Sequence, residues 1–235
     1  MANRIHPTAI VADGVVLGDD NIIGPYTVIA GPCRIGDGNY IGPHVSIGGP
    51  PEYLGSPHLA GWDGEQSDGP GVVIGDNNRI REFVTVNQGV HEATALGSGN
   101  YLMGRAHLGH DVVVDDGAVI SSAVQLAGHC RVWSFANIGI GTVVHQRTAI
   151  GPGAMVGMGS AVRKEVGAFT IAVGNPARVT GLNTIGLNRR GCDDDLVEAL
   201  SPFLKGKGEL PAGDGLPDEV GRLLRAWSAR ANAEH

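Results

Sequence analysis

The chain has little of what a conventional globular core or a nucleic-acid surface uses. Aromatic residues make up 5% of its 235 residues and charged residues 17%. Its three cysteines, Cys33, Cys130 and Cys192, lie far apart. Their odd number and the lack of CxxC spacing argue against a disulfide framework or a zinc knuckle. Lys and Arg total 17 against 24 Asp and Glu, a formal net charge of −7. No basic run is long enough to track a phosphate backbone, so nucleic acid is not an expected partner. No uninterrupted apolar stretch approaches the roughly 20 residues of a membrane helix. The opening "MANRIHPTAIVADG" has no charged segment followed by an apolar core, so no secretory signal is expected. These absences point to a cytoplasmic protein with one main domain and a small appendage.

Glycine, in contrast, is abundant, at 38 residues. A globular domain uses that much when a turn recurs at a fixed interval. The interval here is six. Aliphatic residues stand at Val11, Leu17, Ile23, Ile29, Ile35, Ile41 and Ile47. A second register holds Ile74, Ile80 and Val86, and a third runs in unbroken sixes from Leu96 to Val162. Helical heptads and strand alternation do not produce this period, whereas a hexapeptide β-helix does. The fold class expected is therefore mainly β, a parallel β-helix of hexapeptide repeats. Short strands form the sides of a prism and turns form its corners. Three hexads make one coil, so residues 18 apart stack at about 4.8 Å.

The register breaks at residues 49–71, rich in Gly, Pro and acids, and again at 87–95. Both read as loops thrown out of the prism, and long loops in compact domains are often functional. The β-helix domain is expected over residues 1–174, carrying the 49–71 insertion. Residues 175–235 read as a connector and a C-terminal helical cap. "DDDLVEALSPFLKG" opens with acids suited to a helix N-terminus. "LPDEVGRLLRAWSARANA" places Val220, Leu223, Leu224 and Trp227 on one helical face. These helices are expected to cover the open end of the prism, where backbone groups lack partners.

The 18-residue coil also serves as a ruler for the polar residues. His110 stacks under Gly128 and then Gln146. Asp111 stacks under His129 and then Arg147, and Gly109 under Ala127 and then His145. The polar residues of "AHLGHD", "LAGH" and "VHQ" thus converge outside the aliphatic column. His110 can act as a general base toward an acceptor hydroxyl. Asp111 can fix its tautomer if the backbone turns between them. Gly128, without a side chain, leaves a backbone N–H free for a developing oxyanion. That set suits acyl transfer from a thioester without a covalent intermediate. Two other readings remain open on the residues alone. His107, His110, His129 and His145 could be zinc ligands of a hydratase, although the close pair is three apart where γ-class carbonic anhydrases use five. They could also be surface histidines on a binding solenoid.

"IHPTAIV", "IGPYTVI", "IGDNNRIREFVTVNQG", "AHLGHD", "LAGH", "VHQ", "GNPARVTGLN" and "GLNRRG" occur in this order over residues 5–191. Together they resemble the acyl-[acyl-carrier-protein]–UDP-N-acetylglucosamine O-acyltransferases of lipid A biosynthesis. The resemblance implies a left-handed β-helix, an exception to the right-handed crossover rule. It implies transfer of a fatty acyl group from acyl carrier protein to the 3-hydroxyl of UDP-N-acetylglucosamine or a close UDP-amino sugar. His110 is then the general base, Asp111 its support and Gly128 the oxyanion donor. His107, His129, His145 and Gln146 line the acceptor and acyl cleft. Asn183, Arg189 and Arg190 lie where the family contacts the nucleotide diphosphate and the carrier arm. The resemblance also implies a homotrimer with the cleft between subunits. It implies no metal and no cofactor beyond the acyl-phosphopantetheine of the donor. In the first loop this chain has "GGPPEYLGSP" where the family has an Asn-Gln-Asp-x-Lys-like stretch, and Glu52 is the candidate for the aspartate's place. This departure keeps a second acceptor class open: a sugar or small metabolite outside lipid A.

Overall fold

The computed structural model describes residues 2–65, 67–211 and 215–230. Three parallel sheets form a three-sided β-helix. The first runs from Arg4–Ile5 through Tyr101–Leu102 to Thr170–Val173. The second runs from Ile10–Val11 through His107–Leu108 to Ala161–Val162, and the third from Val15–Leu17 to Ala149–Ile150. Paired residues are 18 apart through most of the prism, as in His107 with Gln125 and Val113 with Arg131. Across the first insertion Ser46 pairs with Thr85, and across the second Thr85 pairs with His107. Apart from a bulge that pairs Asn87 with Gly49, the insertions therefore lengthen a coil while keeping the register of its strands.

The period-six column is the core. From Leu96 to Val162 none of its members is more than 3% exposed. Val11 and Leu17 are only partly buried, because the first coil has a neighbour on one side only. A second inward column was not read from the sequence. It lies two residues before the first and holds small residues such as Ala106, Ala118, Cys130 and Ala136. At one corner this column becomes an asparagine ladder of Asn21, Asn39, Asn78 and Asn100, all buried. Each Oδ1 accepts the backbone N–H one coil on, at 2.9 Å for Asn39 to Asn21, 2.9 Å for Asn78 to Asn39 and 2.8 Å for Asn100 to Asn78. The side chains thereby satisfy corner amides that a sheet ladder leaves unpaired.

Most corners also have one residue in the left-handed region, three before the column. Glycine fills it at Gly99, Gly117 and Gly141, but Asp111 (φ 58), His129 (φ 60) and Arg147 (φ 60) occupy it on one corner. Asp tolerates this conformation because its short side chain bonds locally.

Three helices follow: α1 (Thr184–Asn188), α2 (Asp194–Leu204) and α3 (Asp218–Ala229). Asp193 caps α2 by accepting the Leu196 N–H at 2.9 Å. The α1 turn was not expected. The helices do not sit over the end of the prism as the sequence suggested. They pack on its side, in a second core of Trp133, Phe169, Leu187, Leu200, Leu224 and Trp227. The Trp133 and Trp227 rings meet edge to face at 5.4 Å. The end of the first sheet is covered instead by Arg178–Leu182, expected as connector, which pairs antiparallel with Thr170–Val173. A strand supplies the amides and carbonyls that the open edge needs, which a helix does not. Among the described residues no helix is long and apolar enough to cross a membrane.

Candidate functional site

His110 and Asp111 follow the strand His107–Leu108 at the corner where the chain leaves the second sheet. The left-handed turn at Asp111 swings its carboxylate back beside its neighbour, and the His110 Nδ1 lies 2.7 Å from Asp111 Oδ2. The second insertion closes over this carboxylate. Oδ1 accepts the N–H groups of His91 and Glu92, both at 2.7 Å, and Oδ2 accepts that of Val90 at 3.0 Å. The Asp111 N–H in turn donates to Thr94 Oγ1 at 2.9 Å. Burial alone would push the Asp111 carboxyl up. Hydrogen bonds from the Glu92 amide, the His110 ring and the Val90 and His91 amides outweigh it and hold the pKa at about 2. At neutral pH the carboxylate is therefore an acceptor only. In the neutral imidazole the proton then sits on His110 Nδ1, leaving the lone pair on Nε2.

The Nε2 edge of this ring lies against Gly128. A Cβ at residue 128 would lie 2.5 Å from His110 Nε2 and 2.6 Å from Cε1. Only glycine leaves the imidazole its place. Among the described residues the Gly128 N–H donates to no other group. Several corners share that freedom, and what distinguishes this one is the basic nitrogen opposite it. His129 stands edge-on to His110 with ring centroids 5.0 Å apart and stacks on His91 at 5.8 Å. Burial lowers the His129 pKa, with Asp111 opposing.

His107 is turned along the sheet rather than toward His110. Its Nδ1 meets Thr85 Oγ1 at 2.8 Å and its Nε2 lies 3.6 Å from Glu52 Oε2. Burial lowers its pKa, and Glu52 partly offsets this. Glu52 and Tyr53, whose ring lies 6.1 Å from that of His110, bring the first insertion over the patch. His145 and Gln146 are exposed one coil beyond, the His145 Nδ1 at 3.1 Å from the Gln146 carbonyl oxygen.

Asn183, Arg189 and Arg190 share no hydrogen bond, ion pair or ring contact with this patch among the described residues. Asn183 is the N-cap of α1, accepting the Gly186 N–H at 3.0 Å and donating to the Gly153 carbonyl at 2.9 Å. Arg190 ties α1 to α3 through Glu219 at 3.3 Å and lies over the Phe135 ring at 4.2 Å. Arg189 is exposed. Within one chain, Asn183 and Arg190 therefore hold the helical region together.

The zinc reading called for His107, His110, His129 and His145 to converge, and they do not. Candidate ligand atoms of His110, Asp111 and His129 do lie within 4.8 Å of one another. Yet three amides and the His110 ring already occupy the roughly four lone-pair positions of Asp111. A cation there would have to displace one of them. The cysteines are no better placed as nucleophiles: burial pushes the Cys33 thiol up to about 12 and Cys130 to about 11. The arrangement is an imidazole of fixed orientation beside the Gly128 amide. Sequence reasoning missed Thr85, Thr94, Tyr53 and the Val90–Glu92 amides. The register breaks at 49–71 and 87–95 hinted at Tyr53, Thr94 and the Val90–Glu92 amides, and nothing singled out Thr85.

Residues 14–49 match the family described as bacterial transferase hexapeptide (six repeats), and residues 166–205 match domain 2 of Udp N-acetylglucosamine O-acyltransferase. The acyl-[acyl-carrier-protein]–UDP-N-acetylglucosamine O-acyltransferase of Burkholderia orbicola is 46% identical over 84% of this chain and 80% of the relative. The enzyme of the same name from Nautilia profundicola is 38% identical over 74% of this chain and 66% of the relative. Matches to further curated relatives cover about half of their length. Among solved structures, the UDP-N-acetylglucosamine O-acyltransferase of Moraxella catarrhalis superposes with a TM-score of 0.65 at 33% identity, over 97% of this chain and 93% of that one. The UDP-N-acetylglucosamine acyltransferase of Campylobacter jejuni gives 0.71 at 30%, over 88% and 86%. With a hexapeptide prism, a clasped histidine opposite a glycine amide and relatives of this similarity, the chain belongs to the acyl-[acyl-carrier-protein]–UDP-N-acetylglucosamine O-acyltransferase family.

Proposed function

We propose that this protein transfers a fatty acyl group from acyl carrier protein to the 3-hydroxyl of UDP-N-acetylglucosamine, the reaction named for its relatives. The observation that carries the reading is the His110 imidazole, held by a clasped Asp111 with Nε2 over Gly128. His110 Nε2 takes the proton of the acceptor hydroxyl as its oxygen attacks the thioester carbonyl. The Gly128 N–H donates to the oxyanion that develops. Asp111 stabilises the imidazolium without taking its proton. Collapse expels the pantetheine thiolate, which recovers that proton from His110, leaving an ester and a free thiol. Glu52, His107, His129, His145 and Gln146 line the acceptor and acyl-chain sides. Asn183, Arg189 and Arg190 serve a cleft between subunits of a homotrimer, where a neighbour's helices would complete the site. The protein works in the cytoplasm, and its only cofactor is the donor's own arm.

A panel of acyl carrier protein thioesters and UDP-sugars, with products weighed by mass spectrometry, tests the reading. Acylated UDP-N-acetylglucosamine is the expected product. The first insertion favours one other reading, because Glu52 and Tyr53 reach the patch from a loop with a sequence of its own. No turnover of UDP-N-acetylglucosamine, with turnover of another acceptor, would establish that alternative.

A further inference from the structure

Beyond His129, on the outer surface of the third sheet, lies a concavity of ≈ 240 Å³. It opens beside the reaction centre, since His129 lines it and also touches His110. Its floor is Ala149, whose small side chain leaves room next to its strand partner Arg131. Arg147 and Arg230 line the rim.

The charged groups that line this space are three arginines and one glutamate. Arg131 is held over the Trp133 ring at 4.6 Å and shares Asp115 at 3.1 Å. Arg230 is paired with Glu165, the one carboxylate in the lining. Arg147 is exposed, and its guanidinium has no hydrogen bond or ion pair among the described residues. Trp133 is 9% exposed, and its buried indole N–H has no partner. An unpaired buried donor costs free energy unless a ligand or water accepts from it. The chain as a whole carries net charge −7, so three guanidinium groups gathered around one hollow run against its balance. Guanidinium forks around one space suit the oxygens of a phosphate ester.

Arg147 stands on the same corner column as Asp111 and His129, two coils from Asp111. At about 4.8 Å per coil that is roughly 10 Å. We infer that this concavity is a phosphate subsite, with Arg147 as its free cation, which grips the phosphate ester of one substrate while its reactive end lies at His110. The inference rests on the acyl-transfer reading, under which both substrates carry phosphate: the donor's pantetheine arm and the acceptor's diphosphate.

The test is calorimetric binding to wild type, Arg147→Ala and Arg147→Lys. The probes are S-acyl-4′-phosphopantetheine, the same thioester without its phosphate, and UDP-N-acetylglucosamine. Arg147→Ala is expected to weaken one phosphate-bearing probe about tenfold, the worth of one charge-assisted contact. Arg147→Lys should restore part of it, and the phosphate-free thioester should bind both variants alike. Whichever probe responds identifies the source of the phosphate. The inference is overturned if neither phosphate-bearing probe loses more than twofold, if the phosphate-free thioester loses as much, or if wild type binds neither. Catalysis is assayed separately on the wild type. Absence of sugar acylation together with an intact Arg147 effect would remove the acyl-transfer reading and leave the subsite standing.

Discussion

Replacing Gly128 by alanine tests the reaction centre with a single methyl group. The added carbon would lie 2.5 Å from His110 Nε2, 2.6 Å from Cε1 and 3.1 Å from Cδ2. Non-bonded carbon contacts settle at about 3.5 Å, so the ring must retreat by roughly 1 Å. It has nowhere to retreat at low cost. Its Nδ1 is fixed at 2.7 Å to Asp111, and three amides clamp that carboxylate in turn. The imidazole must give up either its place over residue 128 or its bond to Asp111. A misplacement of about 1 Å at a reacting group costs on the order of 100-fold in rate. The backbone at 128 lies outside the left-handed region, so alanine brings no strain of its own. It also keeps the amide N–H, so a lost rate reports on the base and not on the oxyanion donor. Turnover at saturating thioester and acceptor should fall about 100-fold, with the melting temperature of the wild type retained. A Gly128→Ala enzyme within threefold of wild type would refute the placement of His110 as base opposite Gly128.

His110→Ala should lower turnover by roughly 10²–10⁴-fold. Its assembly by light scattering and its thermal melt should be unchanged, because the ring lies outside the inner column. Asp111→Asn turns an amide NH₂ toward two donors in either orientation, so residues 90–92 should lose their clasp, with rate reduced less than in His110→Ala. The depressed Asp111 pKa, about 2 against an ordinary 3.8, corresponds to roughly 2 kcal/mol of folded stability. That contribution is present above about pH 4 and lost as pH falls through about 2, so the Asn variant's deficit in urea melts should shrink over that range. Equal deficits at pH 7 and pH 2 would show that the carboxylate's charge is not the cause. Asn78→Ala strips the acceptor that holds the Asn100 amide at 2.8 Å. It should cost about 1–3 kcal/mol in denaturant unfolding with little change in rate, since the ladder lies away from the His110 patch.

The period of six made the prism legible because one aliphatic side chain per strand has to point inward. The repeat therefore wrote the coil length into the order of residues. The second column left no such mark, since Ala, Val, Cys, Thr and Asn all fit a small corner space and share no property a reader would score. The glycines also have two causes rather than one. Gly117 and Gly141 take left-handed turns, whereas Gly24 is needed because a Cβ there would lie 2.8 Å from the backbone of Gly42 in the next coil. The position of α3 was misread for a different reason. Its apolar face was visible in Val220, Leu223, Leu224 and Trp227, but its partner Trp133 follows the strand Arg131–Val132, 94 residues before Trp227. Nothing local in the sequence links the two.

The site divides along the same line. The ruler of 18 places His110 beneath Gly128 because both belong to the regular coil. What prepares His110 comes from the irregular parts. The carboxylate reaches its ring only through the left-handed turn at Asp111, and stays there only because the 87–95 insertion turns three consecutive amides onto it. A loop that looked like a lapse in the repeat is therefore the element that fixes the tautomer of the base. The first insertion stands in the same relation to the acceptor, bringing Glu52 toward His107 and Tyr53 toward His110. If so, reactivity and acceptor choice are separable in this fold. Exchanging residues 49–71 should change which hydroxyl is acylated while leaving the Asp111 clasp intact, whereas any change at 90–92 should slow transfer to every acceptor alike.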